Sequence, residues 1–369
     1  MMDMLELRRR LRTHLMVFDT ALTAALAMIF GLSLVAMYSA SLGFPGRFDG
    51  HVRNLAVAFV VMWAVANVPP AWLMRSAVPL YVLGVVLLVA VALFGDISKG
   101  ARRWLDLGVT RIQPSELLKI AAPLMLAWYF ERREGARRWY DFSIAALLLG
   151  IPVALILRQP DLGTALLVLA AGGAVIFLAG ISWKVIAALF LGAAAAAPIL
   201  WTLLHDYQRH RILTLIDPTS DPLGKGFHII QSTIAVGSGG LWGKGWMQGT
   251  QTHLEFIPER TTDFLFAVYA EEFGLAGNCV LLLLYLLLIS RGLVISAQAS
   301  TEFSRLLAGA LTLIFFTYAF VNMGMVSGIL PVVGVPLPMM SYGGTAQVTL
   351  ALGAGMLMSI ARNRKLVQT

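Results

Sequence analysis

FLFAVYAEEFGLAGNCVLLLLYLLLIS, residues 264–290, decides the fold class. Its second half, LLLLYLLLI at 281–289, is continuously apolar. An α-helix needs about 20 such residues to cross a bilayer, whereas a barrel strand alternates over about ten. Working outward, runs of similar length recur along the chain, at roughly 19–40, 52–68, 77–95, 113–130, 141–158, 164–181, 184–204, 264–290, 304–327 and 344–361. The composition agrees: of 369 residues, 58% are hydrophobic and 13% charged, with a mean hydropathy of +0.77. A soluble chain of this size needs a charged surface that this one lacks. The expected fold is all-α: a polytopic integral membrane protein of ten transmembrane helices forming a single domain over 1–369. The first span is long and starts at Asp19, unlike a signal peptide.

The net charge of +8 reads as Arg and Lys flanking membrane helices on the cytoplasmic side, not as a surface for nucleic acid. Arg8, Arg9, Arg10 and Arg12 precede the first span, RREGARR fills 132–138, and Arg362, Arg364 and Lys365 close the last. Both termini are therefore expected in the cytoplasm. One cysteine excludes a disulfide framework and a Cys-based zinc site. There is no GxxxxGKS/T loop, no GxGxxG after a strand and no HExxH, so nucleotide-driven transport finds no support.

With this topology the inner connections are short and the outer ones long, above all 205–263. A connection of that length is functional or disordered more often than not. Its mixture of Trp242, Trp246, Phe227, Phe256 and Ile257 with Gly, Pro and charges reads as a structured loop hugging the membrane. FHIIQSTIAVGSG at 227–239 is expected as a short amphipathic or partly buried helix. GILPVVGVPLPMMSYGG at 328–344 cannot be a regular helix. Irregular backbone at membrane depth is buried in protein or lines a cavity, and a cavity-lining role is expected here.

Several ionisable groups gather at the outer span ends. Glu116 and Lys119 share a helix face, as a structural ion pair or as part of a site. Asp161 follows Pro160 and is either a helix cap or a functional group. Asp263 ends the long loop beside Glu259 and Arg260; it too is either a cap or a carboxylate facing a cavity, able to take a proton from a sugar hydroxyl. Glu271 and Glu272 lie two to three turns deeper, and one of them is expected inside the protein beside Arg or Lys. Outer cations that suit an anionic lipid headgroup such as a pyrophosphate are Arg102, Arg103, Arg158, Arg209, Arg211, Lys244 and Arg260. Arg260, three residues from Asp263, is the leading candidate among them.

KGARRWLDLG at 99–108, QPSELLK at 113–119, QPDLGT at 159–164, HDYQRHRI at 205–212, DPLGKGFHIIQSTIAVGSGGLWGKGWMQGTQ at 221–251, FIPERTTDFLFAVYAEEFGLAG at 256–277 and NMGMVSGILPVVGVPLPMMSYGGTA at 322–346 together resemble the SEDS family of shape, elongation, division and sporulation proteins. The resemblance covers essentially the whole chain, and is greatest to the members serving cell elongation. It implies ten transmembrane helices with both ends inside a bacterial inner membrane. It also implies polymerisation of lipid II onto an undecaprenyl-pyrophosphate-linked glycan strand at the outer face. The family's essential carboxylate falls on Asp263. Implied partners are a class B penicillin-binding protein acting as transpeptidase and the elongation proteins MreC, MreD and MreB. The donor bond is α and the product β, so one inverting displacement with Asp263 as base suffices. Arg, Lys or a divalent cation, Mg or Mn, would stabilise the departing pyrophosphate. A lipid II flippase is the rival reading. The concentration of polar, long-loop residues on one side favours surface chemistry over transport.

Overall fold

The structure is a computed structural model. It describes residues 17–98, 101–106, 111–133, 137–203, 206–221, 224–254, 256–257 and 259–363. The described elements in order are α1 (Thr20–Ala40), α2 (Arg47–Ala66), α3 (Pro70–Phe94), β1 (Asp96–Ser98), β2 (Ala101–Asp106), β3 (Arg111–Ile112), α4 (Pro114–Glu131), α5 (Trp139–Arg158), α6 (Leu162–Leu178), α7 (Trp183–Leu203), α8 (Asp206–Ile216), α9 (Lys225–Ser238), α10 (Thr250–His253), α11 (Leu265–Ala297), α12 (Glu302–Val326) and α13 (Gly344–Arg362). A 3-10 turn, Pro218–Ser220, separates α8 from α9. Each of the ten apolar runs coincides with one helix. Seven of these, α1, α2, α3, α5, α11, α12 and α13, are long and apolar enough to cross a membrane; α6 and the apolar part of α7 are shorter. Residues 1–16, which hold the N-terminal basic cluster, residues 134–136 of the RREGARR stretch, and Arg364 and Lys365 lie outside the described residues.

One element corrects the purely helical expectation. Asp96–Ser98, Ala101–Asp106 and Arg111–Ile112 form a small antiparallel sheet in the order β1-β2-β3, with Ile97 opposite Arg102 and Leu105 opposite Ile112. It closes the bundle end where α3 stops and α4 begins.

Local chemistry sets the helix starts. Asp19, Asp161 and Thr301 cap α1, α6 and α12 by accepting from Leu22 N, Thr164 N and Ser304 N, satisfying donors that a first turn leaves open. Pro70 and Pro114 open α3 and α4, where the missing N–H costs nothing. α12, α13 and α4 run through the centre, burying Phe315, Tyr318, Leu357 and Phe130. α13 packs along α2, and α11 lies between α12 and α1. At the far end of α11, Arg291 clasps Asp19 through two hydrogen bonds of 2.9 and 2.6 Å.

Two irregularities shape the opposite end. Gly274 breaks α11 with φ 62° and ψ −160°. The carbonyls freed there, Glu271 O and Glu272 O, accept from Lys244 N and Gly245 N, while Leu275 N and Ala276 N donate to Gly240 O and Leu241 O. The two backbones lie so close that a Cβ on Gly243 would stand 2.0 Å from Glu272 O, and one on Gly274 would stand 2.3 Å from Gly243 N. Glycine is required on both sides. The second irregularity is 328–343, which is non-helical as its sequence demands. Its backbone is satisfied by side chains from neighbouring helices: Tyr285 Oη donates to Pro338 O (2.6 Å), Ser33 Oγ to Met340 O (2.9 Å) and Gln347 Nε2 to Ser341 O (2.9 Å). Such partners are what allows irregular backbone at membrane depth.

Candidate active site

A cavity of about 480 Å³ opens among the ends of α4, α6, α9 and α11 and the 332–335 stretch. It takes Glu116 and Lys119 from α4, Asp161 from the cap of α6, Arg103 from β2, Arg211 from α8, His228 from α9, and Glu259 and Asp263 from the turn before α11. Val332, Val333, Val335 and Leu167 supply an apolar wall, but most of the lining is polar or charged, which suits a charged, hydrated ligand rather than an apolar one.

α4 brings its two charges one turn apart. Lys119 Nζ, 3% exposed as a residue, donates to Glu116 Oε1 at 2.6 Å and to the hydroxyl of Tyr318 at 2.7 Å. The second carboxylate oxygen of Glu116 is buried without a hydrogen-bond partner among the described residues. Asp161 is a true cap: it accepts from Thr164 N at 3.2 Å and Thr164 Oγ1 at 3.0 Å, and Gln113 Nε2 reaches it at 3.2 Å. Arg103 donates to Pro160 O at 2.6 Å and brings Nε to 3.9 Å from Asp161 Oδ2. The cap and the cavity wall are therefore one residue.

Asp263 is half-buried and leaves the cap position of α11 to Phe264, which makes no side-chain cap bond. The carboxylate faces Gly334: a Cβ built on that glycine, whose φ is +75°, would stand 3.3 Å from Asp263 Oδ2. Asn322 on α12 ties the two segments together, its Nδ2 donating to Asp263 O and to Val335 O at 2.7 Å each. Residues 332–335 of the Gly- and Pro-rich segment thus line the cavity, as the sequence implied, and Gly334 also backs the carboxylate. Asp263 lines a polar cavity that Arg103 and Arg211 also line.

A family model described as cell cycle protein, FTSW_RODA_SPOVE, matches residues 13–366. The chain belongs to the FtsW/RodA/SpoVE family. Among curated relatives, the peptidoglycan glycosyltransferase MrdB of Escherichia coli K12 is 53% identical over 350 residues, 95% of each chain. That of Helicobacter pylori strain J99 is 37% identical over 80% of this chain and 78% of its own. Among solved structures, a chain of a peptidoglycan synthase complex, described as structurally coordinating polymerization and crosslinking, superposes with a TM-score of 0.82 at 35% identity, covering 95% of this chain and all of its own. The rod shape determining protein RodA of Thermus thermophilus gives a TM-score of 0.72 at 30% identity over 95% of this chain and 98% of its own.

In this FtsW/RodA/SpoVE chain the remaining expected site residues fall elsewhere. Arg260 is 4% exposed and does not line the cavity. It donates to Ala40 O (3.0 Å), Thr252 O (2.8 Å) and Leu42 O (2.6 Å) and lies over the Phe44 ring. It fastens the 259–263 turn to the end of α1, which corrects its expected role as the leading phosphate ligand. Its neighbour Glu259 has φ +51°, and the turn sends residues three apart to different surroundings. Lys244 donates to Glu271 Oε1 and Thr250 Oγ1, both at 2.7 Å, and holds the loop. Glu271 also accepts from Gln251 N and Thr252 N and so ties down α10. Glu272 accepts from Ser39 Oγ. Both glutamates are fully buried, one beside a lysine as expected. Arg209 donates to Trp201 O and Thr202 O at the end of α7, and Arg158 is exposed in the last turn of α5; neither lines the cavity. Arg102 lies on β2, and its side chain is outside the described residues.

Three participants were not read from the sequence. His228 stacks on Phe264 at 5.5 Å between ring centroids, Gln113 contacts Asp161, and Gly334 backs Asp263. Only the placement of His228 on the expected amphipathic helix hinted at it. For Mg or Mn, among the described residues no group of three or more His, Cys, Asp or Glu converges, and Lys119 holds one of the two carboxylate oxygens of Glu116.

Proposed function

We infer that this chain is a peptidoglycan glycosyltransferase that lengthens glycan strands from lipid II. The observation that carries the reading is the placement of Asp263: a carboxylate on a rigid helix start, facing a cavity with two guanidiniums, in a chain 53% identical to a protein named for that activity. The chemistry needs a base because a sugar hydroxyl is a weak nucleophile. Asp263 takes the proton of the acceptor 4-hydroxyl as its oxygen bonds the anomeric carbon of the strand's terminal sugar. The bond from that carbon to the pyrophosphate breaks, and the electron pair leaves with undecaprenyl pyrophosphate. Arg103 and Arg211 face the charge that gathers there. No nucleotide enters, since the lipid pyrophosphate already activates the sugar.

The topology that suits this chemistry has ten spans, with both termini and the RREGARR loop in the cytoplasm. The Asp263 end then opens at the outer face of the inner membrane. The likeness to a chain of a peptidoglycan synthase complex supports a class B penicillin-binding protein as partner, with MreC, MreD and MreB as further members of the assembly. The test is purified protein with its transpeptidase partner, supplied with lipid II. Glycan strands on a gel are expected. Passage of lipid II across a vesicle membrane without strand formation would favour the flippase reading instead.

A further inference from the structure

We propose that the bundle end opposite Asp263 holds an anionic phospholipid, seated between α5, α6 and α7. α7 stands off from the bundle: none of its described side chains from Trp183 to Ile199 is buried. The gap beneath it forms two adjoining cavities of about 420 and 570 Å³ that share Phe142, Ala146, Ile181 and Leu189. On α5 the lining is one face, Phe142, Ala146, Leu149, Gly150 and Val153. From Phe142 to Val153 this face spans about 16 Å at the α-helical rise. That is about half of a 30 Å hydrocarbon core, the depth of one leaflet. The groove therefore fits an acyl chain and is too short for an undecaprenyl chain.

Two glycines make the room. A Cβ on Gly150 or on Gly173, which faces it from α6, would meet nothing within 4 Å. Glycine weakens a helix interior relative to alanine, so two of them on the groove face leave space that lipid fills.

The rim selects the headgroup. Arg137, Trp139 and Ser182 line the mouth of the larger cavity. The guanidinium of Arg137 shares the Glu302 carboxylate with Arg305, so one negative charge answers two positive ones. Arg138 and Lys184 are exposed and directly follow, in the chain, Arg137 and Trp183. Trp139 and Trp183 are 80% and 72% exposed, which suits aromatic rings at the headgroup level. A basic pocket between helix ends, with an apolar slot one leaflet deep above it, is complementary to a phosphate on an acyl tail.

The test is native mass spectrometry of the purified full chain in detergent, offered equal amounts of phosphatidylglycerol and phosphatidylcholine. Phosphatidylglycerol is expected to be retained preferentially. The double variant G150L/G173L, whose side chains enter open space, is expected to lose most of that retention with an unchanged melting temperature. Arg137→Gln and, as a second probe at an exposed position, Lys184→Gln are each expected to lower the preference about fivefold, the worth of one cation at such a surface. Equal retention of the two lipids, or full retention of phosphatidylglycerol by G150L/G173L, overturns the proposal. Displacement of the bound phosphatidylglycerol by undecaprenyl pyrophosphate also overturns it and assigns the groove to the carrier lipid.

Discussion

The carboxylate of Asp263 rests against the backbone of Gly334: a Cβ there would come to 3.3 Å of Oδ2, at a φ of +75°. The base and the irregular segment are thus a single construction, tied by Asn322 to both Asp263 O and Val335 O. Gly334→Ala is expected to strain the segment by about 1–2 kcal/mol and to crowd the carboxylate. Misplacement of a catalytic group by 1 Å costs about 10²-fold, so a loss of tenfold or more in polymerisation rate is expected, against a small drop in melting temperature. An unchanged rate would separate Gly334 from the base.

Glu116 and Lys119 are expected to act as one unit. Lys119→Met alone leaves a buried carboxylate uncompensated, and such losses cost about 3–5 kcal/mol. The double change to Gln and Met should cost less than the sum of the two single changes, with a coupling of about 0.5–3 kcal/mol. Thermal melting of the four proteins of the cycle measures it; additivity would contradict the 2.6 Å bond.

Arg260 and Arg211 are expected to differ in kind. Arg260→Ala removes three hydrogen bonds to main-chain carbonyls, a loss of about 2–4 kcal/mol in stability. Arg211→Gln, on the cavity wall, should raise the lipid II concentration needed for half-maximal rate, which Arg260→Ala should leave unchanged. Melting curves beside substrate titrations distinguish the two; the opposite pattern would restore Arg260 as a phosphate ligand.

Much of this was legible in the sequence because the bilayer imposes a simple rule. Ten apolar runs became ten helices, and the Pro- and Gly-rich 328–344 segment had to be irregular and lined with protein. Glu116 with Lys119, Asp161 and Asp263 could be placed together because each sits at a helix start on the same side. Arg260 was misplaced for a local reason: nearness along the chain carries no direction through a turn with a positive φ at Glu259. The 96–112 sheet escaped because its strands are too short to show alternation. Gly334 escaped because a glycine's task depends on what approaches it, here a side chain 71 positions earlier in the chain.

The proposed sidedness rests on the basic residues. In a protein with Cys279 replaced, since that cysteine is exposed, Thr219→Cys is expected to react with a membrane-impermeant thiol reagent in cells whose outer membrane is permeabilised. Ser300→Cys is expected to stay unlabelled. Both positions are exposed, so a reversed pattern would invert the topology and move the cavity to the cytoplasm.

The central claim is that Asp263 is the base, and the most direct measurement is lipid II polymerisation by purified Asp263→Asn with its transpeptidase partner. Asparagine keeps the size of the side chain and removes the proton acceptor, and no cap is lost because Phe264 holds that position. General-base catalysis contributes about 10²- to 10⁴-fold, so the account predicts a folded protein with the wild-type melting temperature and glycan strands reduced by at least a hundredfold. Strand formation at near the wild-type rate would contradict it.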